Sequence, residues 1–249
     1  MPLNDFQADP AEHPALTQHL CRVLKSGKIL ATRMPLTPNI QLFLLNQDYP
    51  QHELSREEMQ SLMNEPPFWS FAWSSGQVLA QWIMERKELV EGRSVIDFGT
   101  GSGIVAVAAA VSGARRVVAC DIDPLSLEAV KANATLNHVD IAVSGDFEQA
   151  AAEAFDVILA ADVLYDKEIL PLAKRFPDLA SDVLLADSRV RDLILPPYRR
   201  IGRGLAVTCP DLQEPEEFRQ VSLYAAGRRA SAILQEELQR RVRSASVFR

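Results

Sequence analysis

Three glycines lie at alternate positions directly after a short apolar run: Gly99, Gly101 and Gly103. Asp97 ends that run, and apolar residues fill 104–111 after the glycines. The pattern predicts a buried strand, a tight turn and a buried helix. Glycines let a turn bend sharply and let a ligand approach without a Cβ in the way, while the new helix points its N–H groups into the same space. We therefore expect the turn to bind a ligand that carries a carboxylate or phosphate.

An acidic residue follows the next apolar run at the distance expected for a nucleotide site. Asp121 lies 18 residues beyond Gly103, close to the roughly 20 residues at which a carboxylate accepts hydrogen bonds from ribose hydroxyls. Asp123 is the competing candidate. Because Asp123-Pro124 fits the N-cap and first position of a helix, we interpret Asp123 as a cap and Asp121 as the ligand.

The glycine spacing distinguishes two kinds of nucleotide site. It reads G-x-G-x-G, whereas the dinucleotide fingerprint is G-x-G-x-x-G. The stretch from Asp97 to Gly103 resembles the first motif of the seven-strand, Rossmann-like (class I) methyltransferases, which bind S-adenosylmethionine. A glycine turn that only joins a strand to a helix is the structural alternative.

A second motif follows the apolar run 155–161 and reads Asp162-Val163-Leu164-Tyr165. Catalytic groups of open α/β sheets lie just past the carboxyl ends of strands. This proline-free motif resembles the post-strand-four motif of seven-strand protein-lysine methyltransferases. Together with segment 68–77 and the arm 37–42, the resemblance is closest to the electron-transfer flavoprotein β-subunit lysine methyltransferase family, over about residues 36–225.

The resemblance implies a site. Asp162 and Tyr165 would position the acceptor amine, and no metal is required. The residues that would bind the cofactor are Asp97, Gly99, Thr100, Gly101, Gly103, Asp121, Ile122, Asp146, Phe147, Trp73 and Gly76. Asp146 would meet the adenine amino group, and the part played by Phe147 stays open.

The segment 66–76 holds two of the three tryptophans, Trp69 and Trp73. Its aromatic residues can form a hydrophobic plug beneath the following helix. Alternatively, they can cover the glycine turn and offer flat faces to a cofactor or a cationic substrate. The methyltransferase motif favours the second interpretation, because a sulfonium and a lysine ammonium are both cations.

Apolar runs that fit strands continue along the chain at 116–120, 141–143, 155–161, 183–186, 205–208 and 221–224. Strands that alternate with helices predict an α/β fold with a mainly parallel sheet. With the resemblance, this predicts a Rossmann-like seven-stranded methyltransferase sheet with helices on both faces and an N-terminal extension.

We divide the chain into a substrate-side helical and extended segment (1–65), an S-adenosylmethionine-binding methyltransferase core (66–227) and a basic tail (228–249). Within the first part we expect a packing helix over 14–26 and a strand or extended arm over 40–45. Ser55 and Glu58 resemble a capping box that opens a helix through 62–63.

Positive charge is concentrated near the C-terminus. Arginines cluster after the fifth core strand at Arg189, Arg191, Arg199, Arg200 and Arg203, and the tail carries six arginines against two glutamates. Leu234 and Leu238 in the tail suggest an amphipathic helix. Both regions can be solvated basic surfaces or can dock an acidic protein partner.

Composition limits the classes of function. The net charge of −7 argues against nonspecific nucleic-acid binding. Three isolated cysteines indicate neither a disulfide framework nor a zinc site and favour the cytoplasm. The chain lacks an apolar run of about 20 residues and a leader pattern, so we expect a soluble, unprocessed protein without a membrane span.

The sequence therefore predicts an S-adenosylmethionine-dependent N-methyltransferase. The most favoured acceptor is a lysine of a protein such as the electron-transfer flavoprotein β subunit. A small, nicotinamide-like amine or a ribosomal protein is an alternative acceptor. A non-catalytic nucleotide-binding protein and a dinucleotide-dependent oxidoreductase are alternatives of a different class.

Overall fold

The computed structural model describes residues 11–165, 168–190, 192–228 and 232. The strands in this part of the chain are β1 (Ile29–Arg33), β2 (Gln41–Leu45), β3 (Ser94–Phe98), β4 (Arg116–Cys120), β5 (Ala142–Ser144), β6 (Phe155–Ala161), β7 (Ala180–Asp187), β8 (Arg199–Leu205) and β9 (Gln220–Gly227). The α-helices are α1 (Pro14–Leu20), α2 (Arg56–Asn64), α3 (Ser74–Glu85), α4 (Ile104–Val111), α5 (Pro124–Leu136), α6 (Phe147–Ala151) and α7 (Ile169–Leu179).

Seven strands form one sheet in the order β5-β4-β3-β6-β7-β9-β8. Strands β3 to β7 run parallel, and β9 lies antiparallel between β7 and β8. Parallel strands require crossover connections, which the intervening helices provide. The predicted Rossmann-like seven-stranded sheet is confirmed.

The central strands are apolar on both faces because helices cover both. Val95 and Val157 pack with residues of α3 and α4 in one hydrophobic cluster. Ile96 and Ile158 point the other way and pack with residues of α7 in a second cluster. This double burial explains why the central strands read as nearly continuous apolar runs.

One predicted strand was placed wrongly. We predicted a strand over 205–208, whereas β8 covers Arg199–Leu205. Gly202 and Gly204 both lie within this strand. A Cβ on Gly204 would lie 2.5 Å from Val78 Cγ1, and one on Gly202 would lie 2.9 Å from Trp82. These glycines allow helix α3 to pack closely on β8.

The N-terminal segment is joined tightly to the core. Strands β1 and β2 form an antiparallel hairpin, of which only β2 was foreseen. The Asn133 side chain in α5 accepts a hydrogen bond from the Phe43 amide at 2.7 Å and donates one to the Ser102 carbonyl at 2.8 Å. Asn133 is fully buried, so it connects the hairpin directly to the glycine turn.

The two helices of this segment differ in how closely they match the sequence prediction. Helix α1 ends at Leu20, short of the predicted range 14–26, and the chain continues as turns. The capping box of α2 is confirmed, since Ser55 Oγ accepts from the Glu58 amide and Glu58 Oε2 accepts from the Ser55 amide.

Most of the predicted tail lies outside the described residues. Of 228–249, only Arg228 and Ala232 are described, so the tail helix expected from Leu234 and Leu238 falls outside them, as does Arg191. Within the described ranges, no helix is long and apolar enough to cross a membrane.

Candidate functional site

A cavity of about 700 Å³ opens where the parallel strands β3, β4, β6 and β7 end. Ligand sites of open α/β sheets lie at this edge, and the volume suits a ligand of nucleotide size. Eight predicted site residues line it: Trp73, Gly99, Gly101, Asp121, Ile122, Phe147, Asp162 and Tyr165. The other five lie outside the lining: Gly76, Asp97, Thr100, Gly103 and Asp146.

The glycine turn uses its three glycines for different purposes. All three have positive φ, at 66° for Gly99, 52° for Gly101 and 81° for Gly103. A Cβ on Gly99 would lie 2.7 Å from Val163, and one on Gly103 would lie 2.9 Å from Val130. A Cβ on Gly101 would come no closer than 4.0 Å to another heavy atom. Gly101 therefore keeps the cavity open, whereas Gly103 serves helix packing.

Asp97 and Thr100 form the base of the turn. Asp97 is 1% exposed, and its Oδ2 accepts from Thr100 Oγ1 at 2.6 Å and from the Ala106 amide at 3.1 Å. Burial raises the pKa of Asp97 to about 7, although these two hydrogen bonds oppose the shift. Both residues lie outside the cavity lining, and their predicted cofactor contacts stay predictions. In this placement Asp97 holds the turn against the start of α4.

Asp121 is well placed to contact a ligand. Its Oδ2 accepts from the Gly101 amide at 2.9 Å and its Oδ1 from the Asp123 amide at 3.0 Å. Burial raises the pKa of Asp121, which these hydrogen bonds oppose. The Ser126 side chain is a third donor to this carboxylate, which leaves about one of its four lone-pair sites for a ligand hydroxyl. Asp123 is the N-cap of α5 as predicted, since it accepts from the Leu125 amide at 2.8 Å.

Two apolar residues provide walls for a flat ligand group. Ile122 is 93% exposed although it is aliphatic, and it lines the cavity beside Asp121. Phe147 lines the cavity from α6 and packs edge-on against Phe98, with ring centroids 5.0 Å apart. An exposed isoleucine at a cavity rim is explained if a ligand covers it.

Asp146 and Gly76 each have a structural role, and their predicted cofactor contacts stay predictions. Asp146 is exposed and caps α6 by accepting from the Gln149 amide at 3.0 Å. Gly76 is buried in α3, where a Cβ would lie 2.9 Å from Ile104 Cγ2. The first is a helix cap, and the second permits close packing of α3 on α4.

The aromatic segment contributes both to the core and to the cavity, although its core part lies beneath α1 and not beneath the following helix α3 as the first interpretation had it. Trp69 is 1% exposed and belongs to the core beneath α1. Phe68 and Trp73 line the cavity, and the Trp73 indole N–H donates to the Phe68 carbonyl at 3.1 Å. The Phe68 ring lies 5.8 Å from Trp73 and 6.4 Å from Tyr165. Three rings thus surround one side of the cavity.

Asp162 adopts a left-handed backbone conformation, with φ of 52°. Such conformations are costly for residues other than glycine and cluster at functional sites. Its Oδ2 accepts from the Ser75 amide at 3.0 Å, and its Oδ1 accepts from Ser75 Oγ at 2.5 Å and Ser188 Oγ at 2.9 Å. Burial raises the pKa of Asp162, and the nearby Asp187 carboxylate adds to the shift. Tyr165 is 58% exposed at the same cavity.

Several lining residues were missed from the sequence: His19, Arg22, Ser188, Arg189 and Glu214. No local sequence motif predicts His19 or Arg22 as a site residue, because the packing of α1 and the turn after it brings them to the cavity. Arg189, interpreted as part of a basic surface, pairs with Glu214 at 3.4 Å and lies over the Phe218 ring at 4.5 Å.

Comparison with known sequences shows which proteins this chain is similar to. The family described as Ribosomal protein L11 methyltransferase (PrmA) matches residues 78–178. The electron transfer flavoprotein beta subunit lysine methyltransferase of Homo sapiens is 33% identical over 162 residues, which cover 61% of this chain and 60% of the human protein. The chain is thus similar to methyltransferases over both matched stretches. The resemblance predicted from the two motifs is thereby confirmed.

Other relatives cover smaller parts. The ribosomal protein L11 methyltransferase of Thiobacillus denitrificans is 43% identical over 104 residues, which are 42% of this chain and 33% of that protein. A solved structure of ribosomal protein L11 methylase from Lactobacillus delbrueckii subsp. bulgaricus is 26% identical, with a TM-score of 0.46 over 62% of this chain and 78% of that one. The chain spans between about half and 60% of the flavoprotein-methylating relatives from mammals.

Proposed function

We propose that this chain is an S-adenosylmethionine-dependent N-methyltransferase that methylates lysine in a protein. The observation that carries the proposal is that residues of the glycine-turn motif and of the motif after β6 line the same cavity. Gly101 and Asp121 lie on its β3–β4 side, and Asp162 and Tyr165 follow β6. A nucleotide site and a polar group able to position an amine therefore share one cavity.

The lining fits the proposed cofactor. Asp121 offers carboxylate oxygens to ribose hydroxyls, and Ile122 and Phe147 offer apolar surfaces to a base. Gly101 leaves the space open that a side chain would fill. When bound, S-adenosylmethionine supplies a methyl group that bonds to an amine nitrogen as the carbon–sulfur bond breaks and its electron pair stays on sulfur.

The chain's own residues have to orient a neutral amine. At pH 7, removing the proton from a free lysine with a pKa of about 10.4 costs about 4.6 kcal/mol. A carboxylate beside the amine stabilises the ammonium and opposes this loss, whereas exclusion of water favours it. We assign Asp162 and Tyr165 to positioning the amine, and the proton passes to water.

The acceptor is proposed from the names of the relatives. The human relative is named for lysine methylation of the electron transfer flavoprotein beta subunit, and we propose the same subunit as this chain's substrate. Ribosomal protein L11 is the second candidate, because the matching family is described by it. Aromatic rings of Phe68, Trp73 and Tyr165 at the cavity suit an alkylammonium side chain in either case.

We further propose that residues 1–65 are a substrate-side extension of a core over 66–227. His19 of α1 and Arg22 in the turn after it line the cavity, which supports a contribution of this segment to ligand binding. The absence of nucleic-acid binding and a cytoplasmic location stay predictions.

The test is transfer of labelled methyl groups from S-adenosylmethionine to purified flavoprotein β subunit, with ribosomal protein L11 and a cell extract in parallel. We expect label on lysine of the β subunit and loss of transfer in Asp162→Ala and Asp162→Asn. Binding of S-adenosylhomocysteine to both variants should stay near that of wild type. Label confined to small molecules, or full turnover in Asp162→Asn, would refute the assignment.

A further inference from the structure

Ser188 lies directly after strand β7 at the edge of the cavity. It is 4% exposed, yet it belongs to the cavity lining together with Asp162. Its hydroxyl donates to Asp162 Oδ1 at 2.9 Å, and its amide N–H approaches the same oxygen at 3.4 Å. The Ser188 proton therefore points at the carboxylate, which fixes the orientation of the hydroxyl.

This arrangement leaves the oxygen of Ser188 as an acceptor. A serine hydroxyl has one donor and two acceptor lone pairs. Because the donor is committed to Asp162, only the lone pairs can serve a ligand. Asp162 Oδ1 already receives Ser75 Oγ, Ser188 Oγ and the Ser188 amide, so this oxygen has little capacity for a further donor.

We propose that Ser188 Oγ accepts a hydrogen bond from the N–H of the acceptor amine and so directs the nitrogen lone pair toward the methyl donor. The inference rests on the proposed methyltransferase function and assigns a contact that the sequence motifs do not contain.

The chemistry of the acceptor atom explains why a serine is useful here. A carboxylate that contacts the amine directly stabilises its charged form, which has no lone pair for the reaction. A neutral hydroxyl oxygen orients an N–H with a much weaker preference for the ammonium. The hydrogen bond from Ser188 to Asp162 also increases the electron density on Oγ, which makes it a better acceptor.

Ser75 provides a matched control. Its Oγ donates to the same Asp162 oxygen at 2.5 Å, so Ser75 and Ser188 support the carboxylate in the same manner. Ser75 is fully buried in the first turn of α3 and lies outside the cavity lining. A role that consists only of holding Asp162 predicts similar effects for the two residues, whereas contact with the amine predicts a larger effect for Ser188.

The experiment compares Ser188→Ala, Ser188→Cys and Ser75→Ala in the full chain, with purified flavoprotein β subunit and S-adenosylmethionine. We expect kcat to fall about tenfold in both Ser188 variants, the value of one lost hydrogen bond, and at most about threefold in Ser75→Ala. The Kd for S-adenosylhomocysteine should stay within about twofold in all three, because none removes a nucleotide contact. Cysteine is slightly larger than serine and leaves no gap, so it remains informative if alanine impairs folding.

Equal losses in Ser188→Cys and Ser75→Ala would overturn the inference in favour of a purely structural role. An unchanged kcat in Ser188→Cys would overturn the inference as well. The proposed function would still stand in that case, provided that the wild-type protein methylates the flavoprotein β subunit. A wild-type protein that methylates no protein amine would overturn both.

Discussion

Replacing Asp97 by asparagine should stabilise the protein increasingly as the pH rises. Asp97 is almost fully buried, and burial raises its pKa to about 7 from 3.8. In the folded state the carboxyl therefore keeps its proton over a range in which the unfolded chain has lost it. The folded state binds more protons across this range, so the free energy of unfolding falls as the pH rises from about 4 to about 7.

The structure allows the size of the effect to be estimated. Both donors, Thr100 Oγ1 and the Ala106 amide, bind the same carboxylate oxygen, so the carbonyl oxygen of asparagine can accept both. The variant then loses the titrating group and keeps the contacts. Between pH 5 and the folded-state pKa of about 7, each pH unit lowers the stability of the wild type by about 1.36 kcal/mol, and the change levels off above pH 7. The stability of Asp97→Asn relative to wild type should therefore increase by about 3 kcal/mol between pH 5 and pH 8.

Urea unfolding of both proteins, followed by circular dichroism at pH 5, 6, 7 and 8, measures this difference. Asp146→Asn is the matched control, because Asp146 is an exposed N-cap at which asparagine serves as well as aspartate. Its difference from wild type should stay nearly constant. A difference for Asp97→Asn that stays constant or shrinks with rising pH would refute the assignment of a buried carboxyl with a raised pKa.

Two further substitutions test the glycine turn and its support. Gly99→Ala should lower the free energy of unfolding by about 2–3 kcal/mol, because it combines a positive φ with a Cβ only 2.7 Å from Val163. Gly92→Ala has a similar φ penalty, but its Cβ would have no atom within 4 Å. Urea unfolding should therefore show a loss in the free energy of unfolding that is at least about 1 kcal/mol smaller than for Gly99→Ala. Equal losses would exclude an effect of the contact with Val163. Asn133→Ala leaves the Ser102 carbonyl unpaired and should cost about 2–4 kcal/mol by the same assay, and a loss below about 1 kcal/mol would contradict this coupling.

The sequence was sufficient where one local signal dominates. The ranges 104–111, 116–120 and 155–161 were predicted as they are found, because uniform apolar runs between clear turns leave few alternatives. The capping box at Ser55 and Glu58 was equally clear, since its two hydrogen bonds are local.

Residues with several possible partners could not be assigned from the sequence. An aspartate before a helix can bind a ligand or cap the helix, and Asp146 caps. A buried glycine can admit a ligand or a neighbouring helix, and Gly76 admits α4. His19 reaches the cavity through packing between segments distant in sequence, so no local pattern marks it. Ser188 directly follows β7, so the strand-end rule that pointed to Asp162 could have found it.

Titration calorimetry with S-adenosylhomocysteine tests the central claim, that the cavity binds the methyl donor. We expect saturable binding by the wild-type chain, none of comparable affinity for NAD, and a loss of about tenfold or more in Asp121→Ala. Asp140→Ala should bind like wild type, because Asp140 is exposed and lies outside the cavity lining. No binding of S-adenosylhomocysteine, or tighter binding of NAD, would contradict the assignment of this site.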